Sequence, residues 1–89
     1  MDITDTKVPK REWNGKEWFV LENKAVVTQR DKQVLERIAQ GKSNKIIAME
    51  LNIGEQMIKN RASELMRKFD ASNRTILAIK AYKMGVVEI

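Results

Sequence analysis

Between residues 55 and 69 four apolar side chains, Ile58, Ala62, Leu65 and Phe69, recur at i, i+4, i+7 and i+11. That spacing stacks them along one face of a helix and obliges the helix to lie with this face against a core. The opposite face is thereby fixed, and it carries Gln56, Lys59, Asn60, Ser63 and Arg67. Immediately upstream, Ser43 is a candidate cap for a helix of about two turns whose inner face is Ile47, Ala48 and Leu51. Asn52-Ile53-Gly54 makes the turn between the two helices, with Ile53 plugging the core and Gly54 permitting the tight bend. A short helix, a tight turn and a second helix with a basic, amide-rich outer face form a helix-turn-helix. Lysine suits the acceptors of guanine in the major groove of duplex DNA, and asparagine or glutamine suits adenine.

The same reading extends to both sides. Thr28 opens a helix with Asp31 at the capping-box position, Val34, Leu35, Ile38 and Ala39 form its inner stripe, and Gly41 ends it. Ser72 caps a last helix over residues 73–84, Gly85 stops it, and residues 86–89 fold back on the core. Residues 1–10, polar and holding the only proline, Pro9, read as a loose tail. Residues 11–21 place Asn14-Gly15 between two aromatic segments, the preferred pair for a two-residue hairpin turn. A hairpin with Trp13 on one strand and Trp18 on the other is one reading, and a short helix over about 16–24 is the other. In either case Trp13, Trp18 and Phe19 are expected to cover one side of the helical core. The fold class expected is all-α: a four-helix helix-turn-helix domain over residues 28–89, with residues 1–27 as an N-terminal extension.

Composition removes several functions. The 89 residues include no cysteine and no histidine, so disulfides, thiolate or imidazole metal ligands and imidazole-activated nucleophiles are excluded. Paired carboxylates placed for acid–base work are not apparent, so no enzyme, no metal, no cofactor and no small-molecule ligand is expected. No apolar run approaches the ~20 residues that span a bilayer, and the amino terminus lacks the apolar stretch of a signal peptide. A cytoplasmic protein without a membrane partner is the expectation. The net charge of +5 is uneven: residues 1–27 hold five basic and five acidic residues, whereas residues 28–89 hold twelve and seven. The surplus on the helical part favours a polyanion as partner.

Lys42, Ser43, Asn44 and Lys45 sit at a helix start, where unpaired N–H groups and the helix dipole favour a phosphate. Lying one helix before the reading helix, they are expected on the DNA backbone. The plainer alternative is an ordinary cap with solvated lysines, and the 44–69 segment is likewise open to being an amphipathic pair with a solvated outer face. Against that stands the sparsity of acids around Gln56, Lys59, Asn60, Ser63 and Arg67. The last helix is apolar on more than one face. Leu77, Ala78, Ala81 and Met84 satisfy the core, leaving Ile76, Ile79 and Tyr82, with Lys80 and Lys83 beside them, as a surface for homodimerisation.

From Thr28 to Val87 the chain resembles the DNA-binding domain of the LuxR/GerE family of bacterial transcription regulators. The likeness rests on Thr28-Gln29-Arg30-Asp31, Val34-Leu35, Ile38 to Lys45, Ile47-Ala48, Leu51, Ile53, Ile58-Lys59-Asn60, Ser72-Asn73-Arg74-Thr75, Ala81 and Gly85. The resemblance implies a central helix-turn-helix that binds promoter DNA as a dimer through the fourth helix. It places Lys59, Asn60 and Ser63 where the family approaches bases, and Lys42, Ser43, Asn44 and Met57 near the DNA backbone. Gln56, Arg61 and Arg67 are assigned to the backbone beside them. Three positions depart from the family: Ile46 stands for its usual Glu, Met57 for Thr and Arg61 for His. The site preference is therefore not transferred. The chain resembles free-standing members, whose activity follows abundance or a partner. A rival reading is a protein-interaction module docking on RNA polymerase or another regulator through the aromatic N-terminal segment. The promoter-reading domain of a sigma factor is a second rival, less favoured because 89 residues leave no room for a polymerase-binding remainder.

Overall fold

The computed structural model describes residues 10–13, 16–21 and 23–88. Residues 1–9, the Asn14-Gly15 turn and Ile89 lie outside the described residues, as do the side chains of Trp13, Trp18 and Phe19. The chain opens with strands β1 (Lys10–Trp13) and β2 (Lys16–Val20), paired antiparallel with Trp13 opposite Lys16. This is the hairpin reading, and the helix considered over 16–24 does not form. A third strand, β3 (Val26–Val27), pairs with β2 through Phe19 and Val27 and completes a sheet of order β1-β2-β3. Sequence reasoning did not foresee it. Its connection bends through Lys24, at φ 70°, with the Asn23 side-chain oxygen accepting from the Ala25 N–H at 3.0 Å.

Four helices follow: α1 (Gln29–Ala39), α2 (Asn44–Leu51), α3 (Glu55–Lys68) and α4 (Arg74–Lys83). Thr28 and Asp31 form the expected capping box at the start of α1, each side chain accepting a backbone N–H of the other at 3.1 Å. Ser43 caps α2, its hydroxyl accepting from the Ile46 N–H at 3.3 Å. Two expected local devices are corrected. The left-handed residue in the turn between α2 and α3 is Asn52, at φ 57°, while Gly54 sits at φ −65° as the cap of α3, where a Cβ would meet only the Met57 side chain. Asparagine tolerates that conformation, so the bend does not depend on the glycine. The cap of α4 is Asn73, whose side chain accepts from Ile76 N–H at 2.9 Å, and not its neighbour Ser72.

One apolar core joins every helix. Val34, Leu35, Ile47, Ile58, Leu65 and Leu77 are fully buried, and the stripe of α3 is completed inside by Ala62 and Phe69. Val86 and Val87, just past the left-handed Gly85, fold back into this core. Leu21 and Val27 enter it from the sheet side, so part of the N-terminal extension is packed with the helical domain.

Candidate nucleic-acid interface

With its apolar stripe against the core, α3 presents a second line of residues at the same spacing. Gln56, Asn60, Ser63 and Arg67, at i, i+4, i+7 and i+11, are all exposed, and Lys59 is exposed on the flank of this ridge. Gln56 Nε2 donates to Asn60 Oδ1 at 2.9 Å, linking the two amides along the ridge. Met57, more than half exposed, and Glu64 occupy the other flank. The structure thus brings together the three residues expected to read bases, with Gln56 in line with Asn60 and Ser63.

The start of α2 is built differently from the expectation. Lys45 and Ser43 are exposed, but Lys42 is engaged: its Nζ donates to both carboxylate oxygens of Glu50, at 2.9 and 2.7 Å. Arg37 from α1 donates to the same carboxylate at 2.9 Å. The hydrogen bond from Lys42, with that from Arg37 and the charges of both, outweighs the upward push of desolvation and holds the Glu50 carboxyl below its ordinary pKa. Asn44 Oδ1 accepts from Arg74 Nη1 at 2.6 Å, while Arg74 Nη2 donates to the Lys42 carbonyl at 3.0 Å. Arg74 therefore fastens the start of α4 to the start of α2. It belonged to the sequence pattern without a role. Its partners lie some thirty residues away, so no local signal reveals them.

Arg61 was expected beside the base-reading residues on the DNA backbone. Instead it is half-buried, with Nη1 2.8 Å from Oδ1 of Asp31. Lys68 Nζ reaches the other Asp31 oxygen at 3.2 Å and donates to the Val26 carbonyl at 2.9 Å. Helical geometry explains the placement: position 61 stands next to the core stripe, facing α1, and not on the outward ridge. Burial pushes the Asp31 carboxyl upward in pKa, but the bond from the Thr28 N–H, with those from Arg61 and Lys68, outweighs it and leaves the group below its ordinary value. Asn23 Nδ2 also donates to the Lys68 carbonyl at 3.1 Å, so the C-terminal end of α3 is held by α1 and by the segment before it.

On α4, Leu77 and Ala81 are buried and Ile79 and Tyr82 stand outward, each about half exposed, with Lys83 exposed beside them. Ile76 is half-buried at the edge. Lys80, also expected on this surface, turns the other way: its Nζ donates to the carbonyls of Phe69 and Asp70, at 3.3 and 2.7 Å, at the end of α3. A cation there complements the negative end of the α3 dipole.

Two kinds of comparison bear on this geometry. Residues 25–81 match the family described as bacterial regulatory proteins, luxR family. Among individual proteins, the chain is 32% identical over 68 residues to the spore germination protein GerE of Bacillus subtilis (strain 168), covering 76% of this chain and 92% of that protein. It is 46% identical over 60 residues to the uncharacterized transcriptional regulatory protein YhcZ of the same organism, covering 67% of this chain but 28% of YhcZ. It is 44% identical over 55 residues to the nitrate/nitrite response regulator protein NarP of Escherichia coli (strain K12), covering 62% of this chain and 26% of NarP.

Proposed function

The chain belongs to the luxR family of bacterial regulatory proteins, and from that premise we propose that it is a sequence-specific DNA-binding regulator of transcription. In this reading α3 lies in the major groove of duplex DNA. The observation that carries it is the exposed ridge of Gln56, Asn60, Ser63 and Arg67, with Lys59 on its flank, held directly opposite the buried stripe of α3. A rigid rod with amides, a hydroxyl and cations on its outer side matches the donors and acceptors of base edges. Lys59, Asn60 and Ser63 read bases in this proposal, and Arg67 lies beside them on the backbone. Ser43, Lys45 and the first-turn N–H groups of α2 approach phosphates, which helix starts accommodate. Lys42 and Asn44 serve that end through Glu50 and Arg74, which hold the start of α2 in place. Two copies pair through Ile79, Tyr82 and Lys83 on α4, with Ile76 at the rim, giving a twofold reader for inverted half-sites. No helix among the described residues is long and apolar enough to cross a membrane. The task assigned to the protein is a cytoplasmic one.

Selection of bound duplexes from random DNA tests the proposal. Inverted half-sites spaced by one helical turn, about 10–10.5 base pairs centre to centre, are expected. On the selected site Lys59→Ala costs about 1–3 kcal/mol of binding, with a much smaller loss on unrelated DNA. Failure to enrich any sequence would remove the proposal.

A further inference from the structure

Gln56 occupies the first turn of α3, on the same line as Asn60, Ser63 and Arg67. Its Nε2 donates to Asn60 Oδ1 at 2.9 Å, and both side chains are exposed, so this bond is made on the outer face of the helix and not against the core. An asparagine that reads adenine must offer both edges of its amide, accepting from N6–H and donating to N7. Here the oxygen of Asn60 is directed one turn back along the helix toward Gln56. Its Nδ2 donates to no group among the described residues, and the bond from Gln56 polarises the amide so that its two N–H groups donate more strongly. An i, i+4 amide pair is weak in water, but it strengthens when a bound surface displaces solvent.

We infer that Gln56 is a specificity-determining residue that sets the orientation of the Asn60 amide, so that Asn60 meets the groove as a donor and selects the N7 and O6 acceptors of guanine over a bidentate adenine. The inference rests on the proposed placement of α3 in the major groove. It moves Gln56 from a backbone position to the reading ridge. The second N–H of Gln56 and its own carbonyl remain available to the adjoining base pair.

Parallel selections with the full chain and its Asn60→Ala, Gln56→Ala and Gln56→Glu variants test it, reading relative base preference, which is independent of the folded fraction. Asn60→Ala identifies the base pair under Asn60 by erasing preference there. At that same position Gln56→Ala should move the preference from guanine toward adenine by about tenfold, as the amide becomes free to pair on both edges. Gln56→Glu can only accept from Asn60, which turns the Asn60 oxygen outward. The preference should then move toward bases that present an exocyclic amine, adenine or cytosine. Unchanged preference at the Asn60 position in both Gln56 variants would overturn the inference, whatever happens to overall affinity. A wild-type chain that selects no sequence would instead remove the DNA-reading proposal itself, and this inference with it.

Discussion

Among the described residues Asp31 is the one buried charged side chain, and it ties the start of α1 to α3. Half of its role is readable locally, because an acid three residues after Thr28 is a capping-box signal. The other half is not, because Arg61 and Lys68 lie thirty and more residues away, and in sequence Arg61 looks like one more cation of the DNA face. Since the folded-state pKa is lowered, the ionised carboxylate contributes stability above its unfolded pKa of about 4. That contribution is lost as pH falls through the folded value. Asp31→Asn should therefore destabilise the protein by about 2 kcal/mol at neutral pH. The gap between wild type and variant should close as pH is lowered from about 4 toward the lower folded value. Chemical denaturation across that pH range measures it, and a gap independent of pH would show that charge is not the cause.

The four helices end alike. After each, one residue takes the left-handed conformation and two backbone N–H groups turn back onto the last turn: Gly41 and Lys42 onto Ile38 and Arg37, Asn52 and Ile53 onto Met49 and Ala48, Asp70 and Ala71 onto Arg67 and Met66, Gly85 and Val86 onto Tyr82 and Ala81. The two glycine ends were legible because glycine advertises the conformation. Those at Asn52 and Asp70 were not, since both residues are ordinary at helix starts and in loops. Asp70, at φ 55°, has the Cβ that makes the left-handed conformation less favourable than for glycine, and it sets a negative charge at the negative end of the α3 dipole. Asp70→Gly is expected to raise stability by about 1 kcal/mol, read as a higher unfolding midpoint. At Asp70 the Lys80 ammonium bonds the main-chain carbonyl and not the carboxylate, so the substitution leaves that bond intact.

At the scale of the molecule, the net charge of +5 resides on residues 28–89, but tertiary structure gives the cations there different surroundings. Arg37, Lys42, Arg61 and Lys68 are paired within the protein, whereas Lys45, Lys59 and Arg67 stand exposed on or beside the proposed reading surface. A dimer that neutralises about six phosphates should lose about a thousandfold in affinity between 50 and 200 mM salt, following a straight line of log affinity against log salt. Titration of a labelled duplex measures this, and a flat line would argue against backbone contacts. The sheet acts at the same scale. Leu21 and Val27 join the core, while Asn23 and the Val26 carbonyl bond to Lys68, so the segment before α1 steadies the C-terminal end of the reading helix.

What the amino-acid sequence determined alone was everything with a short period: the four helices, the α3 stripe with its opposing ridge, and the caps at Thr28 and Ser43. Apolar spacing and cap chemistry act over three or four residues, so they are written in local order. Tertiary structure alone decided which cations are spent inside the fold, how Arg74 and Lys68 join distant elements, and that a third strand closes the sheet. Those outcomes depend on side chains meeting across gaps of eight to more than forty residues, or on a strand of two residues, and neither leaves a periodic trace in the chain.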